Sequence, residues 1–407
     1  MLKNNEAQSY RLVNHEDISQ SDGFWFFGAG HISQKTSDIL DCTKLIGIFD
    51  SSENLVNTQQ LGCSINLPTK EKLSLCDLIV ICSTAIDEIF SYLVANGVEP
   101  EKIYISPVLE DRISIVKLEN LRTSLLFSSG SVFDEQFKLG GGLFEFNLDA
   151  QSHQIKRLHE GSVYGIARLG KNFAFVDTNR GIFVYENKRI EKLFELPKST
   201  RAHGMCFHEQ KNLFSLSCSY RDSILFLNDA GQTVDEIFIS KKFNETGEPQ
   251  HHVNDHCVVD NYLYVSMFSI SGNWKRNVFD GGIMQINMDD LQDRCVLTNS
   301  LLMPHNIEKF GNEFHVLDSF RGNLSIGLFE TVASFPGFAR GLDRHKNLFA
   351  IGQSKNRNHS KLKSLSTNIS IDCGLVFFDN QSKLNRQIVL PSSIGEIHSV
   401  KFSKCEW

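Results

Sequence analysis

Two regimes of apolar patterning divide the chain. Between residues 22 and 108, short solid apolar runs alternate with stretches of helical period. Phe24-Trp25-Phe26-Phe27 reads as a buried strand that runs into Gly28-Ala29-Gly30 and then a helical stretch to about Leu40. Residues 44–49 predict a second strand ending at Asp50, and residues 53–61 a helix stopped by Gly62. Residues 77–82 predict a third strand, 86–95 an amphipathic helix ending at Asn96-Gly97, and 102–105 a fourth strand. Solid apolar strands alternating with helices imply a parallel sheet covered on both faces.

From about residue 120 the helical period fades. Short apolar strands separated by Asn, Gly and Asp take over, and they repeat. Copies begin at Tyr164-Gly165-Ile166, His203-Gly204-Met205, Asn254-Asp255-His256, His305-Asn306-Ile307 and Arg340-Gly341-Leu342. Each is followed, seven to nine residues on, by a turn asparagine: Asn172, Asn212, Asn261, Asn312 and Asn347. Asparagine suits such turns because it tolerates the left-handed region and bonds the local backbone. A sixth copy starts at His398-Ser399-Val400 and stops at Trp407, and its missing second strand stands at the other end, in residues 123–127. Five steps of about 47 residues each match four-stranded blades. The pattern predicts a six-bladed β-propeller in which the C-terminal strand completes the first blade, a Velcro closure that leaves no open edge. The expected organisation is a tail over 1–21, a Rossmann-like α/β domain over 22–118 and the propeller over 119–407. The fold class is thus multidomain, α/β plus all-β.

Composition sharpens this in three places. The 31 phenylalanines fall largely in blade strands and are expected to fill the space between sheets. A net charge of −7 gives no basic footprint, which argues against nucleic acid as a partner. The apolar runs are too short to span a bilayer, and the first eight residues, Met-Leu-Lys-Asn-Asn-Glu-Ala-Gln, carry no apolar stretch of a signal peptide. The ten cysteines are scattered singly with no CxxC pair, so reduced, mostly buried thiols in a cytoplasmic protein are expected.

A strand–Gly-x-Gly–helix turn lets backbone amides approach a phosphate. Here Gly28 and Gly30 supply it, and Asp50 stands where a ribose-binding acid would lie; the third glycine of the fingerprint is replaced by Ser33. The alternative is a tight turn that binds nothing. The runs Phe27-Gly28-Ala29-Gly30, Gly47-Ile48-Phe49-Asp50 and Asp77-Leu78-Ile79-Val80-Ile81-Cys82-Ser83 resemble the small Rossmann-like domains of bacterial surface-sugar enzymes. That resemblance implies a nucleotide or nucleotide-sugar ligand, or a purely accessory domain.

In the propeller, His252-Val253-Asn254, Gly-Asn-Trp-Lys-Arg-Asn over 272–277, Met303-Pro304-His305, Pro-Gly-Phe-Ala-Arg-Gly-Leu over 336–342 and Gly-Gln-Ser-Lys-Asn-Arg over 352–357 resemble a bacterial family catalogued as a domain of unknown function. The resemblance spans most of 160–400 and implies a fold but no activity.

The first residue of each copy is expected beside the central channel. In blade order these are His398, Tyr164, His203, Asn254, His305 and Arg340. Three of six are histidine, in a chain with 14 histidines in 407 residues. Imidazoles aimed at one point from alternate blades suit a divalent metal, Zn, Mn or Fe, held by His203, His305 and His398 with His252 as a further ligand. A metal-free ligand site and a hydrogen-bonded structural plug are the alternatives. In the catalytic readings Tyr164 serves proton transfer, Arg340 pairs with an anionic group of the substrate and Asp255 assists. Asn254, Asn306, Trp274, Lys355 and Arg357 are the expected substrate contacts, with Lys275 and Arg276 extending the basic rim. The function expected is metal-assisted hydrolysis, elimination or isomerisation of a small anionic carbohydrate-like substrate in surface-glycan metabolism. The alternative is a non-catalytic adaptor or ligand-binding propeller that docks a protein on one face, with the N-terminal domain accessory or NAD-binding.

Overall fold

A computed structural model describes residues 10–131, 134, 136, 139–198, 200–357, 359–362 and 369–407. The chain forms two compact units that divide at Leu121/Arg122.

The first unit is a small α/β domain. In chain order its elements are α1 (His15–Gln20), β1 (Phe24–Phe27), α2 (His31–Ser37), β2 (Leu45–Phe49), β3 (Gln59–Gln60), β4 (Cys63–Asn66), α3 (Lys70–Leu73), β5 (Leu78–Ile81), α4 (Ile86–Ala95), β6 (Ile103–Ile105) and α5 (Glu110–Glu119). The sheet order is β3-β4-β2-β1-β5-β6. All neighbours pair in parallel except β3 with β4. Strand alternation sends Phe24, Phe26, Ile48 and Val80 to one core, with Ile18 of α1 and Leu40. It sends Phe27, Phe49, Ile79 and Ile81 to the other, with Phe90 and Leu93 of α4 and Ile113 of α5. Both faces are covered, as solid apolar strands require.

Two expectations fail here. Residues 53–61 are not helical: they form turns and then β3, because Asn57 and Leu61 take left-handed φ values of 65° and 53° and Asn57 N–H bonds Ile65 O at 3.0 Å. Residues 10–21 are not a loose tail. Leu12 bridges to Ile105, α1 follows, and Tyr10, Val13 and Ile18 are buried.

The second unit is a six-bladed propeller, each blade an antiparallel four-stranded sheet. Blade 1 has the C-terminal strand Ser399–Glu406 innermost, then Arg122–Ser129, Gly142–Asp149 and Ser152–Glu160. Blades 2 to 6 begin with Val163–Leu169, Ala202–His208, Val253–Val259, His305–Phe310 and Phe338–His345. The expected closure is therefore present. Phenylalanines do fill the gaps between sheets. Phe173, Phe175 and Phe183 pack with Leu126 and Leu143 between blades 1 and 2, and Phe349 and Phe378 pack with Leu317 and Leu324 between blades 5 and 6. Phe146 meets Phe377 across the closure, ring centres 6.1 Å apart. None of the ten cysteines is in a disulfide; four are buried, five half-buried and Cys295 exposed, so fewer are buried than expected. Among the described residues no helix is long and apolar enough to cross a membrane.

Candidate functional site

In blades 2 to 6 the pairing between first and second strands slips at the same place, next to the residue expected at the axis. Such a bulge re-aims a side chain out of the regular alternation. Two residues further on, Ile166, Met205, His256, Ile307 and Leu342 are structurally equivalent and point back into the blades. Tyr164, His203, Asn254, His305 and Arg340 therefore occupy one position, and His398 stands two residues before Val400 in the same way.

These six side chains form a ring of unequal parts. Tyr164 lies between His398, tilted against it (ring centres 4.3 Å), and His203, stacked on it (4.8 Å). His252 lies edge-on to His203 at 5.8 Å, against Phe268 and stacked on Trp274, each at 4.4 Å. His305 sits edge-on to Phe268 and Phe338. Arg340 passes over Phe338 at 4.9 Å and gives an Nη1 hydrogen to Glu396 at 3.1 Å, with His398 Nε2 at 3.4 Å. Glu396 also holds Arg357 through both oxygens, at 2.8 and 2.9 Å.

Burial and cation neighbours decide the charge states. His398 is pushed down to about 4, chiefly by burial and then by Arg340, against the pull of Glu396. Burial, then charged neighbours, holds His203 and His305 well below the ordinary imidazole range. Glu396 is drawn down to about 2: burial opposes this, but His398, Arg340 and Arg357 outweigh it. The ring thus presents neutral imidazoles beside a fixed guanidinium.

The metal expectation does not fit this arrangement. The Nε2 of His398 is engaged by Glu396 and Arg340, and the Nδ1 of His305 by Met303 O and Ser319 Oγ. His252 meets His203 edge-on but is sandwiched against Phe268 and Trp274, and a buried guanidinium opposes a cation. Among the described residues no three His, Cys, Asp or Glu side chains are placed to hold a metal ion. His251, next to His252 in the chain, is buried with both ring nitrogens on Ser240 and Ser269.

What the ring does carry is unmet hydrogen-bonding capacity. Both nitrogens of His203, Nε2 of His305, Oδ1 of Asn254 and Nε of Arg340 are buried without a partner. Buried polar groups in native proteins are almost always paired. A cavity of about 330 Å³ opens beneath the ring, and His203, Asn254, His305 and His398 border it. Below them it meets Asp255, Asn306, Glu308 and Lys401.

The remaining expected contacts divide. Trp274 is half-buried beside His252. Asn306 lines the cavity. Lys355 is exposed, and Arg357 reaches the ring only through Glu396. Lys275 is spent on the Trp274 face and Glu248. The sequence is locally basic over 355–363, and residues 358 and 363 of that stretch lie outside the described residues. Sequence reasoning missed Glu396, Phe268 and Phe338. Glu396 and Phe338 stand two residues before His398 and Arg340, as His252 stands two before Asn254, so reading that second column of the repeat would have found both.

In the first unit, Asp50 accepts a hydrogen bond from Ala29 N at 2.8 Å and another from Ser52 N at 2.8 Å. Its carboxylate therefore holds the glycine turn. Gly28, at φ 113°, abuts Cys82 O, whereas a Cβ at Gly30 would meet open space. Ser33, in place of the third glycine, is fully buried with its hydroxyl on Gly30 O at 2.7 Å.

Residues 236–404 match a family model described as a domain of unknown function (DUF4915). The match runs from the last strand of blade 3 to the closing strand and begins later than the 160–400 span expected from the motifs. No curated protein matches. Among solved structures, the nidogen/laminin complex aligns with 11% identity and a TM-score of 0.48, over 70% of this chain and 98% of that one. A Bacteroides caccae protein of unknown function aligns with 15% identity and a TM-score of 0.47, over 68% and 98%. The Xanthomonas campestris protein XC5397, described as a gluconolactonase, aligns with 13% identity and a TM-score of 0.42, over 65% and 85%. These likenesses are too distant to say anything of this chain's chemistry.

Proposed function

We propose that the propeller axis binds a small anionic, carbohydrate-like molecule and acts on it by proton transfer. The observation that carries this reading is the set of unpartnered buried atoms on four of the six ring residues, His203, Asn254, His305 and Arg340. They offer a cation for a carboxylate or phosphate, neutral nitrogens to exchange hydrogen bonds with hydroxyls, and an amide oxygen to accept one.

Arg340 paired with a substrate carboxylate would make the adjacent C–H more acidic, and neutral His203 is the base that would take that proton. Elimination and isomerisation are the reaction classes that use such a pair. The test incubates the protein with D-glucuronate in deuterated buffer and follows melting temperature and loss of the C5 proton signal by NMR. The reading expects stabilisation by glucuronate, absent in Arg340→Met, and exchange that disappears in His203→Ala. No thermal shift with glucuronate or glucose 6-phosphate overturns it; binding without exchange overturns its catalytic half and leaves a ligand-binding propeller.

A further inference from the structure

The position that follows the ring residue holds Ser399, Gly165, Gly204, Asp255, Asn306 and Gly341 around the axis. Three are glycine, so Asp255 and Asn306 are the two large polar side chains at this level. Room is made for Asp255: a Cβ at Gly204 would overlap its Oδ1. Asn306 takes a left-handed φ of 53° and accepts Gly341 N–H on its Oδ1 at 2.7 Å. That bond fixes the amide's orientation, so its Nδ2 must face Asp255, to whose Oδ2 it donates at 2.9 Å. The other oxygen of Asp255 accepts His256 N–H at 3.0 Å.

Among the described residues no cation touches Asp255. The basic groups near it are occupied: Lys401 pairs with Glu308 at 2.5 Å, and Arg168 with Asp343 at 2.7 Å. Facing it from the neighbouring first strands are Glu308, which is a like charge, and the thiol of Cys206, with the thiol of Cys257 two residues on in its own strand; burial keeps both thiols protonated. Asp255 borders the same cavity as the unpartnered Asn254 Oδ1 and His305 Nε2.

We infer that Asp255, oriented by Asn306, exchanges a proton near neutral pH and delivers it to an oxygen of a ligand held under the ring. This rests on the ring reading for the ligand, but not for the proton. Burial and then Glu308 push this carboxyl up to about 7, against the two hydrogen bonds and Lys401, which favour the charged form. In the reaction, His203 takes the C–H proton, the C–H electrons form the new C=C bond, and the carbonyl π electrons take the proton from Asp255. One proton leaves the substrate and one arrives; Asp255 is recharged by the reverse transfer or from solvent. The carboxylate left behind is held by Asn306 and His256 N–H.

The experiment is a pH titration of the ligand-free protein with side-chain carboxyl ¹³C-labelled aspartate, read by NMR. The inference expects one aspartate signal titrating near neutrality, absent in Asp255→Asn. In Glu308→Gln that signal moves to lower pH, because a like charge is gone and Lys401 is released. In Asn306→Leu it moves higher, because a donor to the charged form is lost. If every aspartate titrates in the ordinary carboxylate range, or the neutral signal survives Asp255→Asn and ignores Glu308→Gln, the inference is overturned. Because no ligand is used, that failure is separate from failure of the ring site.

Discussion

The backbone N–H of His252 donates to Asp222 Oδ1 at 2.8 Å, and the other oxygen of the same carboxylate takes the N–H of His251 at 2.8 Å and that of Gln250. Three successive amides on one buried carboxylate fix the turn in which His252 adopts φ 55°. That turn sets the imidazole against Trp274 and His203. Asp222→Ala leaves these donors unmet, at about 1–3 kcal/mol for an unsatisfied buried group. Urea unfolding should show a loss of about that size. Trp274 emission should change in the folded baseline, with Trp274→Phe serving to subtract Trp25 and Trp407.

Glu396 is the acid that balances two guanidinium groups. Glu396→Gln leaves Arg340 buried and unpaired, so stability should fall by about 3–5 kcal/mol. The same change removes the internal anion that competes for Arg340, so glucuronate should bind more tightly even as the melting temperature drops. Calorimetry and thermal denaturation of the one variant check both directions.

The ring histidines make the fold sensitive to mild acid. His398 is depressed from 6.5 to about 4, so the unfolded chain takes up its proton first. Stability from this group is complete above about 6.5 and is lost as pH falls toward 4, on the order of 3 kcal/mol for a shift of that size. His398→Gln should flatten that part of the stability–pH curve measured by denaturant titration. Asp255 acts with the opposite sign, since its raised value makes stability fall as pH climbs from about 4 to 7; Asp255→Asn should remove that slope.

Closure of the propeller has its own test. Lys401 on the C-terminal strand reaches Glu308 of blade 5 at 2.5 Å, and Phe402 N–H reaches Asp343 of blade 6 at 2.7 Å. Lys401→Met strands Glu308 and should cost about 3–5 kcal/mol, whereas Lys401→Met with Glu308→Gln should recover much of it. Equal losses in the single and double variants, by chemical denaturation, would show that the pair is not coupled.

The repeat was readable because each blade restates the same spacing: Asn172, Asn212, Asn261, Asn312 and Asn347 mark hairpins whose geometry is local. The ring column followed from that register. The metal grouping did not follow, because aromatic packing of His252 and capture of His398 by Glu396 depend on side-chain partners from different blades. Glu396 itself was invisible to a reading confined to one column. Residues 53–61 misled because Leu55, Val56 and Leu61 mimic a helical face, while Asn57 and Gly62 impose positive φ. The polar N-terminal segment hid Tyr10, Val13 and Ile18, three apolar residues too widely spaced to show a period.

The most direct test of the axial site is isothermal titration with three probes of one ring size: D-glucuronate, glucose 6-phosphate and glucose. The account predicts that a carboxylate or phosphate probe binds at least about tenfold more tightly than glucose, a difference of about 1.4 kcal/mol. Arg340→Met should erase that preference without unfolding the propeller. Equal affinity for all three probes, or an anion preference that survives Arg340→Met, would contradict it.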